Sequence, residues 1–330
     1  MKNYIIEILN SDKTFFNRKN YWIIKAADKG DVEAQLDLAN YYHYGVNGFE
    51  RNIIKANYWE KQASKQQLTI GPEVKPSNLP TYSNELWRLI RSAEAGIRES
   101  EYLLGNRYLN GQEVEKDEKK AFELFTKAAN ANLDLAMVAL GICYLQGSGV
   151  KVDHEEAFSW FSKAAKLNFP EGIYYQGVCY FEGLGVVKSL RKGLELLVKA
   201  SDLGFVHALT YLGDIYIDGI GVPKDINKGL SYYNQAASDD DPLALYRLGD
   251  LYFTNKLSKS NTEKIAYNYF VKSANLGHND AIYMLGYYHY YGKGGLLINP
   301  KKAREYFSLA ANNGSKQALN ALNKLYVEAK

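Results

Sequence analysis

The stretch YLGDIYIDGIGVPKDINKGLSYYNQAA, Tyr211 to Ala237, holds no nucleophile beside a base, no metal-ligand cluster and no phosphate-binding loop, yet the chain repeats versions of it. With the glycine of Leu212-Gly213 as a mark, the same step recurs at Gly105, Gly141, Gly177, Gly213 and Gly249, each 36 residues apart, and again at Gly286 after 37. An aromatic stands three residues past the mark at Tyr108, Tyr144, Tyr180, Tyr216 and Tyr252, with His289 the exception. A Gly-x-Gly-Val turn follows at Gly147-Gly149-Val150, Gly183-Gly185-Val186 and Gly219-Gly221-Val222. Then comes a second segment with an aromatic pair and a small pair, as in Trp160-Phe161 with Ala164-Ala165 and Tyr306-Phe307 with Ala310-Ala311.

This register predicts helix, turn, helix. Ala208, Leu212 and Ile215-Tyr216 fall on one helical face. The small mark residue costs helix propensity, so it is expected where a neighbouring helix approaches closely. Gly219 and Gly221 supply residues that tolerate positive φ past a helix end. Asp153-x-x-Glu156 and Asn299-Pro300 are helix starts. Units of this length cannot bury their own apolar faces, and stacking buries them.

The run Ala208 to Ala237, like Ala136 to Ala165, resembles the Sel-one-like repeat family, relatives of the tetratricopeptide repeats. The resemblance implies an all-α, right-handed α-solenoid that binds other proteins, and it brings no catalytic residue. It divides the chain into an N-terminal partial repeat or cap (1–31), a first repeat (32–64), a proline-rich interruption with a degenerate repeat (65–96), six consecutive units (97–314) and a capping helix (315–330). The interruption carries Pro72, Pro76 and Pro80, which exclude a continuous helix there. Either it spans a gap or it presents a binding loop. A second departure, TNKLSKSNTE after Phe253, drops the glycine turn.

A net charge of +3 over 330 residues does not argue for a nucleic-acid surface, and no apolar run reaches the roughly 18 residues a membrane span needs. The opening MKNYIIEILNSDKTFF reads as a capping helix, so a cytoplasmic protein is expected. Cys143 and Cys179 occupy the same slot one repeat apart, about 9–10 Å at helix-packing distance, and are expected as buried thiols. None of the five histidines stands at metal-ligand spacing, so no metal and no cofactor is expected. His154 and His278 read as solvated, and Asp239-Asp240-Asp241 as a solvated turn or a docking site for a basic partner.

What remains is a strip on the first helices, at −3, +1 and +4 from each mark, where residue identity varies between units. The tetratricopeptide resemblance puts first helices on the concave face. The candidate partner-binding residues are Tyr174, Asp214, Tyr246, Asp250, Tyr283 and Tyr287, tyrosines and acids of the kind enriched at interfaces or free to vary there. No catalytic residue is expected. The leading reading is a non-enzymatic scaffold for a protein partner, in concrete form a bacterial immunity protein that inhibits a toxin or effector. The competing reading is an enzyme or regulatory factor of the cell envelope or peptidoglycan, and a third is a ligand-binding solenoid.

Overall fold

The computed structural model describes residues 84–254 and 262–328, with isolated positions between 24 and 62. The proline-rich segment and residues 255–261 lie outside the described residues. Fourteen α-helices run through the described residues, and no strand occurs among them. They are α1 (Asn84–Glu94), α2 (Arg98–Asn110), α3 (Glu118–Asn130), α4 (Asp134–Gln146), α5 (His154–Lys166), α6 (Pro170–Glu182) and α7 (Leu190–Asp202). The series continues with α8 (Val206–Asp218), α9 (Ile226–Ser238), α10 (Pro242–Phe253), α11 (Thr262–Asn275), α12 (Asn279–Tyr291), α13 (Pro300–Asn312) and α14 (Lys316–Glu328). From α2 onward, even-numbered helices are first helices and odd-numbered ones second helices. The described residues divide into two compact units, one of those up to Ala136 with Ser148–Val150, the other of Met137–Gly147 and those from Lys151 onward.

The repeated letters become repeated contacts. An ideal Cβ on Gly105 would stand 2.7 Å from the Phe125 ring, one on Gly141 2.5 Å from Phe161, and one on Gly213 2.4 Å from Tyr233. The same holds at Gly249 against Phe270 (2.7 Å) and Gly286 against Phe307 (2.6 Å). The mark glycine is thus where the ring of the second helix lies flat on the first helix. Gly177 is the variant: its unit has no aromatic on α7, and Gly193 brings the two backbones together.

Caps set the helix ends. Asp117, Asp153, Ser189, Asp225 and Asn299 each accept backbone N–H bonds from the first turn of a second helix. Their own N–H groups donate to the carbonyls of Tyr108, Tyr144, Tyr180, Tyr216 and His289, at 2.7–2.9 Å, which closes each turn with the same kind of bond. Gly183 and Gly219 end α6 and α8 at φ 77° and 73°. His289, the exception to the aromatic slot, stacks on Tyr306 (5.6 Å, 6°), much as Tyr252 stacks on Tyr269 (5.7 Å, 15°). The slot selects a flat ring, and imidazole supplies one.

In two units the residue opening the first helix also caps the end of its own second helix. Arg98 Nη1 donates to the Ala131 carbonyl at 2.9 Å, and Asn279 Nδ2 to those of Ala310 and Asn313 at 3.2 and 3.3 Å. Cys143 and Cys179 are buried and unbridged, and burial pushes the Cys179 thiol up to about 12.

Candidate functional site

The strip on the first helices separates into two rows. The −3 positions all pack, some wholly buried and some leaving part of the ring exposed. Tyr102 lies on Phe125 (5.8 Å), Tyr246 on Phe270 (5.7 Å) and Tyr283 on Phe307 (5.5 Å), each ring wedged beside the second helix of its own unit. Tyr174 goes furthest: it is 0% exposed, packed against Tyr175, Phe205 and Tyr211. As a partner-contacting residue it is therefore corrected. The physical reason is that the −3 slot faces the start of the next unit, where Phe205 closes over it. Tyr246 and Tyr283 stay half-buried.

The +1 row is more open. Asp214, Asp250 and Tyr287 are half-buried. Asp214 accepts from the Tyr233 hydroxyl and pairs with Arg247 Nε of the next first helix at 3.3 Å. Tyr287 meets Phe253 edge to face at 5.7 Å and leans on Tyr291, itself 47% exposed. Tyr211, one turn before Asp214, donates to Glu182 on α6 at 2.7 Å. Neighbouring first helices are thus joined by polar pairs across this face: α6 to α8 by Glu182 and Tyr211, α8 to α10 by Asp214 and Arg247.

Two further expectations are overturned. Asp239 and Asp240 are exposed as expected, but Asp241 is 1% exposed. It caps α10 through the Ala244 N–H at 2.7 Å and pairs with His207 Nδ1 at 2.8 Å. Burial works against its carboxylate, yet the His207 bond and the N–H groups of Ala244 and Leu243 hold it below the usual range. The sequence placed this acid behind the end of α9; the structure uses it as the start of α10.

His278 is likewise buried, 4% exposed, stacked on Tyr246 at 4.7 Å and 21°. Its Nδ1 accepts the Ala281 N–H at 3.4 Å, so the imidazole replaces an aspartate as cap of α12. Burial, with Arg247 nearby, lowers it to about 4. Burial also raises Asp280, opposed by Arg247. Sequence spacing gave no sign of this cluster, because its members come from three units.

Among the described residues no group of three or more His, Cys, Asp or Glu could hold a metal ion, and no helix is long and apolar enough to cross a membrane.

The chain is similar to a Sel1 repeat protein from Oxalobacter formigenes, 26% identical over 98% of this chain and 85% of that one, with a TM-score of 0.55. It is similar also to an immunity protein from Pseudomonas aeruginosa, 25% identical over 72% of this chain and 84% of that one, TM-score 0.49. A third is a protective antigen of uropathogenic Escherichia coli, 26% identical over 93% and 67%, TM-score 0.38. No curated protein matches the sequence. The Sel1 repeat model matches residues 20–31, 32–68, 98–133, 134–169, 170–205, 206–241, 242–278 and 279–315, and with the first of these structures it carries the conclusion that this chain belongs to the Sel1 repeat family, an all-α repeat family of protein-interaction scaffolds.

Proposed function

We propose that the chain is a non-catalytic scaffold whose protein partner docks on the first helices of the units after residue 206. Asp214, Tyr246, Asp250, Tyr283 and Tyr287 belong to the docking face. The observation that carries this reading is the contrast between the rows. The mark glycine and the helix caps recur from unit to unit, whereas the +1 row changes from the buried Val178 to the half-exposed Asp214, Asp250 and Tyr287. The core does not dictate the residue type in this row, and a partner gives the change a use.

The finer form of the proposal is stoichiometric inhibition of a toxin or effector in a bacterial cytoplasm. A long docking face acts by occupying its partner one to one, and the two buried unbridged thiols suit a reducing compartment. The test is capture of the partner on the immobilised protein, with an Asp250→Ala/Tyr287→Ala double variant as comparison. Stoichiometric capture by the parent and loss by a variant of unchanged helical circular dichroism supports the face. Equal capture by both moves the site elsewhere.

A further inference from the structure

Charge is sorted by helix type in residues 170–312. The first helices α6, α8, α10 and α12 carry six acids, Glu171, Glu182, Asp214, Asp218, Asp250 and Asp280, against one strong base, Arg247. The second helices α7, α9, α11 and α13 carry nine lysines and arginines against four acids. The overall charge of +3 conceals this division.

We infer that the partner presents a basic segment of its own chain, arginine- or lysine-bearing, to the first-helix face; the inference rests on the docking reading above and gives it a chemistry. Two observations favour it. The acids lie on the same helices as the proposed face, with Asp218 exposed and Asp250 half-buried. The chain itself shows what the face accepts, since Arg247 pairs with Asp214 at 3.3 Å and acts on Asp280 as well. A guanidinium of α10 is therefore already paired with an acid of the preceding first helix, α8. Acids and tyrosines together suit arginine, which takes carboxylate pairing and ring stacking at once.

The experiment uses the full chain and three labelled peptides of equal length, one rich in Arg and Lys, one with Gln at those positions and one with Glu. Affinity is read by anisotropy at low salt and at about 0.15 M, and the footprint by hydrogen exchange. The expected result is binding of the basic peptide with protection of α8 and α10. Asp218→Asn/Asp250→Asn should weaken it at least about tenfold, as removal of close interfacial charge pairs does, and added salt should narrow the difference. Lys192→Gln/Lys228→Gln on the second helices should leave it unchanged. Equal binding of the Gln peptide to the same helices overturns the charge inference and leaves the docking face standing. Basic-peptide binding that ignores the acid pair, or that protects α7 and α9 instead, also overturns it. If no peptide binds, or only the Glu peptide does, the inference fails, and failure of all three removes support from the docking face too.

Discussion

Replacing Gly141 by alanine tests the packing rule behind the whole repeat. The added Cβ would lie 2.5, 2.8 and 2.9 Å from Cε1, Cδ1 and Cζ of Phe161, whereas carbon atoms rest at about 3.5–4.0 Å. The ring must therefore retreat by about 1 Å. It is 0% exposed and stacked on Tyr175 at 4.8 Å and 16°, so the retreat pushes into a second buried ring. Overpacking of this kind costs about 1–3 kcal/mol, and three contacts under 3.0 Å place it near the upper end. Removing a glycine from the helix returns about 1 kcal/mol. The expected net loss is about 2 kcal/mol. Urea denaturation followed by circular dichroism, with hydrogen exchange on α4 and α5 to catch partial unfolding, measures it. Adding Phe161→Leu should relieve the clash, so the double variant should lose less than the sum of the singles. Gly177→Ala, whose nearest atoms are Leu196 Cβ and the α7 backbone at 3.1–3.2 Å, should stay within about 1 kcal/mol of the parent. A Gly141→Ala protein as stable as the parent, or strict additivity, would refute the reasoning.

Asp241→Ala removes a cap and strands His207, so it should cost about 3–5 kcal/mol, against about 1 for the exposed cap in Asp225→Ala; similar melting temperatures would contradict this. His278 has a folded value of about 4, below its unfolded 6.5, so the unfolded chain binds the extra proton between those values. Stability should be flat above pH 6.5 and fall by up to about 3 kcal/mol towards pH 4, and His278→Gln should remove most of that slope. Cys143 and Cys179 should react with a thiol reagent only on unfolding, since both are buried and Cys179 is pushed up to about 12. Fast labelling of the native chain would place a thiol at the surface.

The period of the mark glycine was enough to read the fold, because one letter at a constant interval reports one backbone-to-ring approach in each unit. Caps such as Asp153 and Asn299 were legible for the same reason: they act within a few residues of themselves. The face was only partly legible. Helical periodicity placed Tyr174 and Asp214 on one strip, but it could not show that Phe205, from the following turn, closes over the −3 slot. His207, Asp241, Arg247 and His278 pair across units, and no local spacing encodes such partners. Asp241 was misread because an acid between two helices belongs equally to the end of one and the start of the next, and only the Ala244 bond decides.

The sorting of charge between first and second helices also governs how the molecule meets matter that is not its partner. A small net positive charge predicts a protein retained by a cation exchanger and ignored by an anion exchanger. A body with separate acidic and basic tracts is held by both resins at neutral pH, each grasping a different side. Copies of the chain can likewise attract one another, acid tract to basic tract, at an ionic strength low enough for the screening length to exceed the gap between them. Dilute buffer should then raise its apparent mass in light scattering, and salt should restore it.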